Sequence, residues 1–156
     1  MKTILVPVDF SDVTLRVVKA AAQLAMPFHS RLVLMHVSES YSQGFAFGPG
    51  SEETPAGVTE PGPSGSFARQ RLTELQDLVL AAGLESTSIE LTGPPVDQIM
   101  SQAETARVDL IVLGTHGRSP LYHLFAGGVL DGILRRARCP VLVVPLAGAE
   151  HSKPVT

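Results

Sequence analysis

Two short segments of this chain carry the residue types and spacings that could do chemistry. The first is Asp9-Phe10-Ser11, and the second runs from Gly114-Thr115-His116-Gly117 to Gly127-Gly128. Gly114 and Gly117 let the backbone approach an anion closely. A helix opening at Gly127 would aim free N–H groups and the positive end of its dipole at the same point. Together these are phosphate-binding parts. His116 sits between the two glycines, where an imidazole could approach a phosphate, or it is an exposed loop histidine. Arg118 could meet a phosphate charge or be a solvated loop arginine. Asp9 could hold a ribose or a nucleotide-bound metal, or cap the helix that follows it.

The other reactive side chains have plainer readings. His36 lies in an apolar run and reads as a core histidine with a hydrogen-bond partner, a ligand role being the alternative. His123 could shuttle a proton only beside a carboxylate, and none is identifiable. Cys139, the one cysteine, precedes Pro140 and reads as a small packing residue, since no histidine partner is recognisable nearby. Arg135, Arg136 and Arg138 cluster where cations complement the carboxyl end of a helix. No pair of histidines at helical spacing and no cysteine cluster suggests a metal site, and the Gly-Lys-Ser/Thr of a Walker A loop is missing.

The elements that must position these residues alternate along the chain. Residues 3–8 form a short Ile/Val-rich run that reads as a strand buried on both faces, Leu32 to Val37 a second continuous apolar strand, Leu110 to Leu113 another buried strand and Val141 to Val144 the last strand. Thr87, Ile89 and Leu91 alternate as a shorter strand. Between them, Ser11 offers an N-cap to a helix with Val13, Val17, Ala20, Ala21 and Leu24 inward, stopped at Pro27. Ser66 offers another, with Ala68, Leu72, Leu75, Val79 and Ala82 inward and Gly83 as the stop. Pro94 and Pro95 open a third helix with Val96, Ile99, Met100 and Ala103 inward, and Val129, Ile133 and Leu134 mark a last one. The order implies an α/β single domain: a five-stranded parallel sheet with helices on both faces. Ligands then bind beyond the carboxyl ends of strands, where both candidate segments fall.

Residues 38–65 interrupt this rhythm, with 15 of 28 positions Gly, Pro or Ser, and read as a flexible surface loop or a ligand-covering lid. At 156 residues the chain supports one core. Its net charge of -3, with only 17% charged residues, provides no basic stripe for nucleic acid. No apolar stretch is long enough to span a membrane. The first apolar run reaches Asp9 before it is as long as a signal-peptide core, so a cytoplasmic location is expected.

Gly114-x-x-Gly117, nine residues, then Gly127 resembles the Gly-x2-Gly-x9-Gly motif of ATP-binding universal stress proteins. Ile4-Leu5-Val6-Pro7-Val8-Asp9-Phe10-Ser11, Leu34-Met35-His36-Val37, Asp109 to Gly114 and Cys139-Pro140-Val141-Leu142-Val143-Val144-Pro145 are similar to the same family, so the likeness spans residues 3 to 145. It implies a Rossmann-like, adenine nucleotide alpha hydrolase-like domain over residues 1–146, followed by a tail at 147–156. It also implies a regulatory module that binds ATP or AMP, with or without Mg, and works by binding and dimerisation rather than catalysis. Pro7, Val8, Asp9 and Val37 would receive the adenosine. Gly114, His116, Gly117, Arg118, Gly127, Gly128 and Val129 would surround the phosphates. Where the family continues after the last glycine with a hydroxyl-bearing Ser or Thr, this chain has Gly128, and a second such position is Leu130. A nucleotide-free interaction protein of the same fold, or a weak ATPase, are the competing readings. The last strand, Val141 to Val144, is expected at a sheet edge, joining a homodimer.

Overall fold

The computed structural model describes residues 1–38, 63–115 and 128–145. Five strands, β1 (Thr3–Pro7), β2 (Arg31–Ser38), β3 (Ser86–Thr92), β4 (Leu110–Thr115) and β5 (Val141–Pro145), form one parallel sheet in the order β3-β2-β1-β4-β5. Among the described residues four α-helices join them: α1 (Thr14–Ala25), α2 (Pro63–Ala81), α3 (Pro95–Thr105) and α4 (Val129–Arg136).

The apolar runs form strands because alternate side chains are buried on opposite faces. Ile4, Val6, Leu32, Leu34 and Val112 pack with Val13, Val17 and Ala21 of the α1 segment and Leu72, Leu75 and Val79 of α2. Leu5, Val33, Met35, Ile111 and Leu113 pack on the other face with Ile99 and Met100 of α3 and Ile133 of α4. Each fully buried aliphatic side chain contributes roughly 1.5–3 kcal/mol, so β1, β2 and β4 anchor the domain. Helices therefore cover both faces and β5 is an edge, as the sequence implies; the other edge is β3.

Helix boundaries depart from the sequence reading in three places. Ser11 does not cap α1: the helix starts at Thr14, and the Ser11 hydroxyl donates to Asp9 Oδ1 at 2.6 Å instead. Ser66 does not cap α2, because the helix is already under way from Pro63, a residue whose fixed φ suits a helical first turn. Ser38 belongs to β2 and residues 63–65 to α2, so the interrupting segment is 39–62, which lies outside the described residues.

The inward faces of α1 to α3 follow the expected stripes, except that Ala82 is exposed beyond the end of α2. Gly83, with φ 79°, ends that helix: its N–H reaches the Leu80 carbonyl at 2.9 Å and Leu84 N–H reaches Val79 at 3.3 Å, a Schellman closure. In α4 the expected face is rotated. Ile133 is buried, but Val129 and Leu134 are 41% and 44% exposed, while Leu130 packs on the core. Asp131 is buried on the same helix, its Oδ1 receiving Arg135 Nε at 2.9 Å.

Candidate functional site

The crevice arises from where β1 stops. On β2, successive residues direct their backbone groups alternately to β1 and to β3. Leu32 N–H bonds the Glu85 carbonyl and the Ser38 carbonyl accepts from Gly93, so even-numbered residues face β3. Arg31 N–H bonds Lys2 and the Met35 carbonyl accepts from Val8 at 2.8 Å, so odd-numbered residues face β1. Val37 is the next odd residue, and the β1–β2 ladder ends at the Pro7–Met35 pair. Its N–H and C=O therefore face a place that β1 has left. The β1–β4 ladder is shorter still, limited to Ile4–Leu110 and Leu5–Ile111. The crevice lies between strand ends on both sides of β1, where the chain order reverses.

Pro7, Val8 and Asp9 lead out of β1 into this crevice, Val37 borders it from β2 and Gly114 from β4. Asp9 is exposed, and its Oδ1 takes both the Ser11 N–H, at 3.1 Å, and the Ser11 hydroxyl. That carboxylate braces the β1–α1 turn rather than the first turn of α1. Gly128 is the N-cap of α4 and Val129 its first residue, so the helix opens one residue after the position expected from Gly127. Gly132 of α4 packs on Val96, the second residue of α3, which brings the start of α4 to the carboxyl-end side of the sheet. His116, Gly117, Arg118, Gly127 and His123 lie outside the described residues.

Gly114 has a packing reason for being glycine. A β-carbon there would stand 2.5 Å from Val13 Cγ1 and 2.9 Å from Val17 Cγ2. Close approach of α1 to β4 is thus one reason for glycine at this first motif position, apart from any approach of an anion to its backbone.

A family-wide profile of the "Universal stress protein family" matches residues 1–145. The chain belongs to the universal stress protein family. Among curated universal stress proteins it is 34% identical over 143 residues to universal stress protein A homolog 1 of Coxiella burnetii, covering 92% of this chain and 95% of that one. It is 30% identical over 143 residues to universal stress protein MJ0531 of Methanocaldococcus jannaschii, covering 92% and 81%. Among solved structures, a universal stress protein in complex with cAMP superposes with a TM-score of 0.69 at 26% identity, covering 92% and 96%. An Archaeoglobus fulgidus universal stress protein in complex with dAMP shares the fold, with a TM-score of 0.65 at 21% identity and coverage of 92% and 97%.

Two aromatic residues in this universal stress protein crevice make contacts beyond the sequence reading, which expected a hydrogen-bond partner for His36 without identifying it. His36 is half-buried at the carboxyl end of β2 rather than enclosed in the core, and its Nδ1 lies 2.9 Å from the Val8 carbonyl. Phe10, in a left-handed backbone conformation (φ 61°), lays its ring 4.4 Å from the imidazole. No spacing signals either contact. Thr14 Oγ1, in the first turn of α1, is buried without a hydrogen-bond partner.

The remaining reactive groups lie at the other end of the sheet. Arg107, Arg136, Arg138 and Cys139 line a pocket of about 130 Å³ between the carboxyl ends of α3 and α4. Arg136 pairs with Asp97 at 2.6 Å and Arg138 with Glu104 at 3.6 Å, so these cations serve carboxylates as well as helix dipoles. Burial pushes the Cys139 thiol above its ordinary value, which favours the protonated form. Among the described residues no cluster of three His, Cys, Asp or Glu could hold a metal, and no helix is long and apolar enough to cross a membrane.

Proposed function

We propose that this chain is an adenine-nucleotide-binding regulatory module that receives ATP or AMP in the crevice at the ends of β1, β2 and β4. The observation that carries this reading is the backbone edge of Val37, which presents a donor and an acceptor side by side where β1 has turned away. Adenine carries the complementary pair, an N1 acceptor beside an N6 donor, and backbone groups left unpaired in a closed site are costly. The start of α4, with Asp131 as its only acidic residue in the first turn, supplies the N-terminal dipole for phosphates. Asp9 is the residue for ribose or for magnesium carried by the nucleotide. The cAMP complex of a relative at 26% identity supports the same ligand class.

Regulation by such a module requires a second surface, and β5 offers it. Because Ile111 N–H bonds the Pro140 carbonyl, the even-numbered residues of β5 face β4, and Val141 and Val143 turn their N–H groups outward. Leu142 is 36% exposed beside them. An unblunted apolar edge invites pairing, and a second copy of the chain through β5 closes it.

Calorimetric titration with ATP, ADP and AMP, with and without magnesium, tests the ligand. Saturable binding of at least one nucleotide is expected, with no phosphate release. Absence of binding at millimolar nucleotide, together with no nucleotide in a denatured purified sample, would leave an interaction protein of the same fold. That second reading is favoured by Gly128, whose missing side chain removes one phosphate-binding hydroxyl.

A further inference from the structure

A side chain outside both candidate segments bonds the backbone where β1 leaves the sheet. After Val8 N–H to the Met35 carbonyl, the next rung of the parallel ladder would run from the Val37 N–H to the Val8 carbonyl. That rung is not made, and the ladder stops at Pro7–Met35. The Val8 carbonyl instead meets Nδ1 of His36 at 2.9 Å. A carbonyl only accepts, so Nδ1 carries the hydrogen. Phe10 covers the imidazole at 4.4 Å and 32°, and Phe67 of α2 meets Phe10 edge-on at 6.1 Å and 83°. The imidazole is fixed on one side by its bond and on the other by a ring.

We propose that His36 is a positioning residue of this crevice: by drawing the Val8 carbonyl to its imidazole it keeps the Val37 N–H out of the sheet and available to a ligand acceptor. The inference rests on the nucleotide reading for its ligand, a purine with an acceptor beside a donor, but not for its structural step. Sheet and ligand compete for one N–H. Without the imidazole donor, the Val8 carbonyl would lose its partner, and the donor that continues the ladder pattern is the Val37 N–H. Forming it draws the end of β1 onto β2 and removes the edge that a base would use.

Two substitutions in the full chain separate this role from simple packing. His36→Phe keeps a ring against Phe10 and deletes the donor, whereas His36→Asn retains an amide donor at about the reach of Nδ1. Amide hydrogen exchange of Val37 is followed by NMR without ligand, and AMP and GMP binding by calorimetry. The Val37 amide should exchange rapidly in the parent and in His36→Asn, and about tenfold more slowly in His36→Phe. AMP should bind about tenfold more weakly to His36→Phe than to the parent, with affinity recovered in His36→Asn. Equal Val37 exchange in parent and His36→Phe, or unchanged AMP affinity in a parent that binds it, would overturn the proposal.

The parent alone provides a test that needs no variant: a scalar coupling between the Val37 amide nitrogen and the Val8 carbonyl carbon would show the rung formed and the proposal wrong. A parent that binds no nucleotide sinks the ligand reading, while exchange and coupling at Val37 still decide the part played by His36.

Discussion

Gly114 of β4 and Val13 at the head of α1 are in such close register that a β-carbon on the glycine would stand 2.5 Å from Val13 Cγ1. The contact ties the first glycine of the phosphate motif to the packing of the helix that follows β1. One residue thus lets α1 settle on the sheet and fixes where the β4 strand end borders the crevice.

Gly114→Ala should therefore destabilise the domain by about 1–3 kcal/mol through overpacking. The clash is with the tips of two valines, so trimming one of them tests the cause. Urea denaturation of Gly114→Ala/Val13→Ala should recover part of the loss seen in Gly114→Ala. If the double variant is less stable by the simple sum of the single effects, the two residues are not coupled.

The strands were legible because burial on both faces leaves an uninterrupted apolar run, as in Leu32 to Val37, that charged or turn residues bound on each side. Helix starts were less so. Ser11 has the right type and position for a cap, but Asp9, two residues earlier, takes its hydroxyl. The face of α4 could not be read from eight residues: Val129, Ile133 and Leu134 fit a helical stripe as well as Leu130, Ile133 and Ala137 do. Docking against α3, where Gly132 meets Val96, selects the second set. The alternation of strands and helices placed the crevice at the carboxyl ends of the strands, and Pro7, Val8, Asp9, Val37 and Gly114 border it, while Gly117 and Gly127 lie outside the described residues. The reason Val37 is available lies in a ladder rung replaced by a side chain. That substitution between two strands has no local sequence pattern.

The start of β1 is tied to the turn before β4 through Asp109, whose Oδ2 accepts the N–H groups of Lys2 and Thr3 at 2.6 and 2.9 Å. These backbone hydrogen bonds, Lys2 first, hold the carboxyl below its ordinary value of 3.8. With the folded value depressed, the stabilisation is present in full above the ordinary value and is lost as pH falls through the lower folded one. Asp109→Asn should lower the urea midpoint at neutral pH, and the gap to the parent should close as pH falls below 3.8 through the depressed folded value. The group is exposed, so the gap will be small. A gap independent of pH would assign the effect to hydrogen-bond geometry rather than charge.

The proposed dimer has a test confined to one N–H. Val143 faces its N–H outward from β5, so Val143→Pro removes a donor that the β4–β5 ladder does not use, a position where an edge strand tolerates proline. Sedimentation at micromolar concentration should find the parent dimeric and Val143→Pro monomeric, with the helical circular dichroism of the two alike. A parent that sediments as a monomer rules out pairing through β5. A variant that stays dimeric moves the interface elsewhere.

The phosphate end of the crevice is tested at Gly128, the N-cap of α4, which has an extended backbone (φ -83°, ψ 172°) and nothing within 4 Å of an added β-carbon. Gly128→Ser fits there without strain and restores the hydroxyl expected after Gly127. A hydrogen bond to a charged acceptor contributes about 1.5–3 kcal/mol at best, so ATP should bind roughly tenfold more tightly. The same hydroxyl can also accept from the N–H of Leu130 or Asp131, but replacing glycine by serine at an N-cap changes helix stability by only a few tenths of a kcal/mol. Gly128→Ala separates the two effects, because alanine is the poorer cap and brings no hydroxyl. Ser should strengthen ATP binding where Ala weakens it or leaves it unchanged, and AMP should gain less if the hydroxyl meets the outer phosphates. Calorimetric titration of parent and both variants decides this. Equal affinities for Ser and Ala would mean that the start of α4 does not touch the phosphates, leaving the strand ends of β1 and β2 to account for any nucleotide bound.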